Sequence, residues 1–176
     1  MLKRALIAGP VLLFLLVFAP AALADGSAAP SVSPMVTCST AGVSSVSRAT
    51  AVSRGKTWVS ARVPYSQTAC HTDTHGTYRM DCSGFVSMAW GLNASYTTSS
   101  LPSVATRIAR VNLQPGDIMD NISYHTVLFV GWADSAHTLA NFYQEGSSAT
   151  GSYASYGVPL SNYSSYYAYR YNHITS

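Results

Sequence analysis

Asp81-Cys82-Ser83-Gly84-Phe85-Val86 is the stretch on which the reading of this chain turns. Small residues give way here to the apolar positions Phe85, Val86, Met88, Ala89 and Trp90, the pattern of a buried helix that opens at Cys82 and should stop near Gly91-Leu92-Asn93. A thiol in that first turn lies among unsatisfied backbone N–H groups at the positive end of the helix dipole. Such a place lowers a thiol pKa by one or more units from about 8.5. Forty-three positions later His125-Thr126-Val127-Leu128-Phe129-Val130-Gly131 reads as a histidine entering a β-strand that ends in glycine. A rigid strand would fix the imidazole, and the two segments together point to a cysteine nucleophile and its base.

Working outward, the pattern predicts a helix from about Ala49 to Arg62, ended by Pro64, with Tyr65 directly after it. The polar stretch Ser66 to Arg79 reads as a loop leading to Cys82. A second short helix is expected from about Leu101 to Arg110, after which Leu113-Gln114-Pro115-Gly116-Asp117 turns the chain into strands at roughly Asp117–Met119, Tyr124–Trp132, Thr138–Glu145 and Tyr166–Tyr171. Ala133-Asp134-Ser135-Ala136 would form a hairpin turn. Helices first and an antiparallel sheet afterwards describe an α+β domain.

The N-terminus reads as an export signal. Lys3 and Arg4 precede an apolar stretch from Ala5 to about Phe18, and Ala22-Leu23-Ala24 supplies the small residues of a cleavage site, so residues 1–24 are expected to be a signal peptide. Residues 25–47, rich in Ser, Ala, Pro and Val, are expected to be a flexible leader, with the domain spanning 48–176. Three cysteines in an exported chain leave one unpaired. Pairing Cys38 with Cys70 would tie the N-terminal segment to the stretch before the nucleophile and keep Cys82 free.

After loss of Lys3 and Arg4, eight basic residues face seven acidic ones without a cluster of either sign, which argues against nucleic acid as a partner. His71, Asp73 and His75 match no metal-ligand spacing, and neither a metal nor a cofactor is expected. No membrane association is expected after cleavage of the signal, and a monomer is.

Four landmarks in order, namely Pro64-Tyr65 after a helix, Asp81–Val86 opening the next, Leu113–Asp117 before the sheet, and His125 leading a strand to Gly131, resemble the NlpC-type cysteine peptidases. These are papain-like enzymes of bacterial cell-wall metabolism, and the resemblance spans roughly Ala51 to Asn172. It is nearest to small secreted actinobacterial members. It implies a papain-like fold in which the nucleophile helix packs on an antiparallel sheet, and a secreted or cell-wall-associated hydrolase cleaving an amide bond of peptidoglycan stem peptides. Cys82 would be the nucleophile and His125 the base. Tyr65 would help bind the oxyanion, with Ser83 and Asp81 beside the substrate, although Asp81 also suits a plain helix cap.

For the third residue, which orients the histidine, the family spacing falls on His137. A lengthened hairpin turn would shift the strand face to Asn141, Tyr143 and Glu145. Glu145 is expected, by similarity to the related CHAP amidases, while Gln144 would need a bulge to reach the same side. The Trp-Gly-Gly run that usually follows the tyrosine is replaced by Ser66-Gln67-Thr68-Ala69-Cys70-His71, a departure that bears on substrate choice. Two other activities share the same nucleophile: an amidase or an acyl- or peptidyl-transferase on another substrate. A secreted binding or toxin-like module without turnover is the reading from a different class.

Overall fold

The structure, a computed structural model, describes residues 35–176. The expected signal peptide and residues 25–34 of the expected leader lie outside them. In chain order the elements are β1 (Val46–Ser47), α1 (Arg48–Ala61), β2 (Ser66–Asp73), β3 (Gly76–Met80), α2 (Cys82–Trp90), β4 (Ala105–Ile108), β5 (Ile118–Asn121), β6 (His125–Trp132), β7 (Leu139–Glu145), β8 (Ser152–Pro159), β9 (Tyr167–Tyr171) and β10 (Ile174–Thr175). Among the described residues two α-helices and mainly antiparallel sheets make this an α+β fold, as expected. The main sheet has six strands in the order β4-β9-β5-β6-β7-β8, every neighbour antiparallel. Among the described residues no helix is long and apolar enough to cross a membrane.

Helix α1 starts where the Ser47 hydroxyl accepts the Thr50 N–H at 3.1 Å, and ends at Arg62, whose φ of +50° turns the chain out of the helix. Its buried residues are Ala51, Gly55 and Trp58, one narrow stripe at helical spacing. A Cβ at Gly55 would stand 2.9 Å from Leu128 Cδ2, so the missing side chain lets the helix lie close on β6. Helix α2 is buried along its whole length. The Asp81 carboxylate caps it by accepting the Gly84 N–H at 2.8 Å, and Gly91, at φ +68°, ends it. Gly84 has no alternative, because a Cβ there would collide with the carbonyl oxygen of Arg79.

The sheet separates two apolar cores. On the helix side, Ile118, Leu128 and Tyr143 meet Trp58, Phe85 and Met88; on the other, Met119, Val127, Phe129 and Phe142 meet Leu113 and Tyr166. Strict alternation along β5 and β6 therefore reflects two-sided burial, each face with its own cover. Asp117 fastens the layers. Its buried carboxylate accepts from Arg48 of α1 at 3.0 Å, from Arg170 of β9 at 2.8 Å and from the Gln114 N–H at 2.9 Å.

Three local expectations change. Residues 66–80 form a β-hairpin where a loop was expected. Asp73 explains the turn: its carboxylate accepts the His75 N–H at 2.7 Å and the Trp58 indole N–H at 2.9 Å, fixing the hairpin end against α1. The expected helix over 101–110 is one 3-10 turn, Leu101–Val104, followed by β4, because Thr106 and Ile108 pair with β9 at the sheet edge. Strand β8, in the Tyr- and Ser-rich tail, extends the sheet beyond β7 and was not anticipated.

Within the described residues the expected leader is anchored chain. Cys38 is 2% exposed and bridged to Cys70, the expected pairing. Ser39 bridges Ala94, the Val36 N–H donates to the Gln67 carbonyl at 3.0 Å, and buried Val46 pairs in parallel with Ile174. A disulfide and backbone pairing supply what the segment's weak apolar content does not.

Candidate active site

The start of α2 meets the start of β6 at one end of the sheet, and a cleft of about 410 Å³ opens there. Cys82, His125, Tyr65 and Gln144 all line it. A larger cleft of about 500 Å³, between Val43, Tyr96 and His173, contains neither Cys82 nor His125. Cys82 is the free cysteine, 7% exposed, with its sulfur turned to the backbone N–H groups of Thr126 and Ser83. The nucleophile candidate thus lies against the residue that follows His125.

The imidazole is held from behind. His125 Nε2 and Gln144 Oε1 are 2.9 Å apart, and the Gln144 amide N–H₂ donates to Ser155 Oγ at 2.9 Å. With Oε1 accepting, Nε2 carries the hydrogen and Nδ1 keeps its lone pair for a thiol proton. Glu145, the expected partner, is elsewhere. Along β7, Tyr143 belongs to the helix-side core and Phe142 to the other. Period-two alternation puts Glu145 with Tyr143 and Gln144 with Phe142. On β6, His125 falls in line with Val127 and Phe129, on the Gln144 side. No bulge is needed to select Gln144, because the imidazole itself emerges on the face that the sequence reading had turned away from the site.

Glu145 is fully buried, accepts a hydrogen bond from Ser152 Oγ, and has no partner on Oε1. Burial pushes it up to about 8, so it is a neutral acid at neutral pH. His137, the other candidate, sits at the hairpin tip with φ +57° and stacks on Trp132, ring centroids 4.4 Å apart.

Electrostatics differ from the expectation of a low-pKa thiol. Burial, then the Asp81 charge, push the Cys82 thiol up to about 12, against the pull of the Thr126 and Ser83 N–H groups. Burial likewise holds His125 below the usual histidine range, opposed by Gln144. The resting pair is therefore neutral thiol and neutral imidazole. The helix terminus offers donors, but with Cys82 so little exposed their effect is smaller than the cost of desolvating a thiolate.

Tyr65 stands in the cleft with its phenol oxygen accepting from Gln67 Nε2 at 3.0 Å, and burial with the nearby Cys82 raises its pKa. Asp81 and Ser83, expected beside the substrate, point their side chains into the protein. Arg79, 2% exposed, donates to Asp81 at 2.7 Å, to Ser83 Oγ at 3.0 Å and to the Tyr96 carbonyl at 2.7 Å. This buried cluster holds the nucleophile turn from below. Sequence reasoning missed Arg79, Ser155 and Tyr124, the last of which also lines the cleft; the only signal for Arg79 was a charge two residues before Asp81.

No family model matches the chain, and no curated protein matches it. Among solved structures it is similar to the peptidoglycan hydrolase RipB from Mycobacterium tuberculosis, at 16% identity and a TM-score of 0.46 over 70% of this chain. The match spans 65% of that structure's length.

Proposed function

We propose that this protein is an exported cysteine hydrolase that cleaves an amide bond, with Cys82 as nucleophile, His125 as general base and acid, and Gln144 as the group that orients the imidazole. One observation carries the proposal: the free cysteine opens a buried helix in the same cleft as a histidine whose far nitrogen is held by Gln144, leaving Nδ1 available. Nδ1 takes the thiol proton as Sγ attacks the carbonyl carbon, and the carbonyl electrons move to oxygen. The Cys82 N–H at the helix start and the Tyr65 hydroxyl are the donors proposed for that oxyanion. Collapse breaks the C–N bond, the imidazolium protonates the departing amine, and water, deprotonated by His125, releases the acid from the thioester. Because thiol and imidazole are both neutral at rest, the proton moves during attack and is not already transferred.

The substrate proposed is a peptidoglycan stem peptide, as the sequence resemblance implies. Muropeptides incubated with the mature protein should yield new amine and acid termini, and Cys82→Ala should abolish this while leaving the circular dichroism spectrum unchanged. Turnover by Cys82→Ala would refute the assignment. A binding module without turnover is the second reading, favoured by the high pKa of the thiol. Muropeptide binding without cleavage by the unaltered protein would select it.

A further inference from the structure

The larger cleft lies at the opposite end of α2 from Cys82, and separate stretches of chain build it. The segment before α1 forms one wall. There the Thr40 N–H donates to the Asn93 carbonyl at 3.0 Å, the Val43 N–H to the Gly91 carbonyl at 2.9 Å and the Val46 N–H to the His173 carbonyl at 3.1 Å. The chain leaving α2 forms a second wall, and the end of β9 a third, where the Asn172 N–H donates to the Val104 carbonyl at 3.0 Å. Gly42 allows the close approach, since a Cβ there would stand 2.8 Å from the Asn93 backbone nitrogen. Backbone hydrogen bonds thus fix the shape before any ligand arrives. Its volume of about 500 Å³ suits a small-molecule site.

The lining is neutral and rich in hydrogen-bonding groups that the protein leaves unused. No Asp, Glu, Lys or Arg is among the residues that line it. The floor is aromatic: Tyr171 stacks on Trp90 with ring centroids 5.1 Å apart, and the His173 ring meets Tyr171 at 5.6 Å. Burial, then the neighbouring Tyr96, raise the pKa of the Tyr171 phenol, which keeps its proton to donate. Among the described residues the Tyr96 and Tyr171 hydroxyls, the Asn93 amide and the His173 imidazole make no hydrogen bond, and none of them is a buried orphan. Asn172 Oδ1 accepts from Thr106 Oγ1 at 2.7 Å, which leaves its N–H₂ group to donate.

A phosphate, carboxylate or ammonium group would lose water in this cleft and find no opposite charge. A sugar chain would fit the lining instead. Its hydroxyls donate and accept without charge, as phenols and amides do, and its C–H faces lie well against aromatic rings. We propose that this cleft is a second, non-catalytic site for a neutral oligosaccharide, held by hydrogen bonds from Asn93, Tyr96 and His173 above the Tyr171 floor. The site stands independently of the Cys82–His125 reading. Nine residues of α2, at about 1.5 Å each, put the two clefts about 13 Å apart along the helix, so a sugar here leaves the nucleophile open.

The test is an amide NMR titration of the mature protein with tri-N-acetylchitotriose and, separately, with cellotriose, which lacks the acetamido groups. Binding with a Kd of about 1 mM or tighter should move the signals of Ser44, Asn93 and Asn172 and leave those of Cys82 and His125 in place. Asn93→Ala and Tyr96→Phe should each weaken it about fivefold, the effect of one lost hydrogen bond, while unchanged signals elsewhere show the fold intact. Tyr124→Ala, in the catalytic cleft, should not alter it. Binding of the chitotriose alone would assign the acetamido group to the Asn93 amide, and binding of both sugars would assign the ring hydroxyls. No shift with either sugar up to about 10 mM overturns the site, as does binding that Tyr124→Ala removes and Asn93→Ala does not.

Discussion

Replacing Glu145 with glutamine should stabilise the protein, and do so more as the pH rises. The carboxyl group is fully buried, with Ser152 on one oxygen and nothing on the other, and burial moves it from 4.5 to about 8. Its folded pKa thus lies above its unfolded one. Below about pH 4.5 both states hold the proton and the group is neutral in its effect. Between 4.5 and 8 the unfolded chain ionises while the folded one does not, so stability is lost as the pH rises. At 1.36 kcal/mol per unit, the loss is about 3 kcal/mol by pH 7 and about 4–5 kcal/mol above pH 8. Glutamine keeps the shape and the contact with Ser152 but has no proton to lose. Urea unfolding of both proteins at about pH 4.5 and about pH 8 should therefore show a difference that widens by several kcal/mol in favour of Glu145→Gln. A difference that stays constant across this range would mean that Glu145 ionises as freely in the fold as outside it, and the burial argument would fail.

Gln144→Ala should lower kcat about 10- to 100-fold with little change in unfolding midpoint, while Glu145→Gln should leave kcat within about threefold; the opposite order would restore Glu145 as the partner of His125. Loss of the Cys38–Cys70 bridge, whose partners are 32 residues apart, should cost about 3–4 kcal/mol in unfolding free energy measured with and without reductant. Gly84→Ala should fail to fold or unfold at much lower urea than Gly55→Ala. A Cβ at Gly84 meets a backbone oxygen, whereas one at Gly55 meets the movable end of Leu128.

Where the sequence was legible, a local rule governed. Helices α1 and α2 begin and end within a residue or two of expectation, because Ser47, Asp81 and Gly91 are capping residues whose chemistry acts within four positions. Strands β6 and β7 were readable from apolar runs; parity left one cysteine unpaired, and assigning Cys82 as the nucleophile selected the bridge between Cys38 and Cys70. The 66–80 hairpin was not legible, since its turn is fixed by Asp73 reaching Trp58 on another element. Nor was the anchoring of residues 35–47, which depends on β10 and on Ala94, far along the chain.

By itself the sequence determined the identity of the two groups that meet in the cleft, Cys82 and His125, because a thiol at a helix start and a histidine at a strand start are both signalled by their neighbours along the chain. Tertiary structure decided which residue stands behind the histidine and what charge each group carries. The choice of Gln144 over Glu145 depends on which face of β6 holds the imidazole, and one residue of register reverses it. The proton affinities of Cys82, Asp120 and Glu145 depend on how completely water is excluded around them, a property of packed layers that no local pattern encodes.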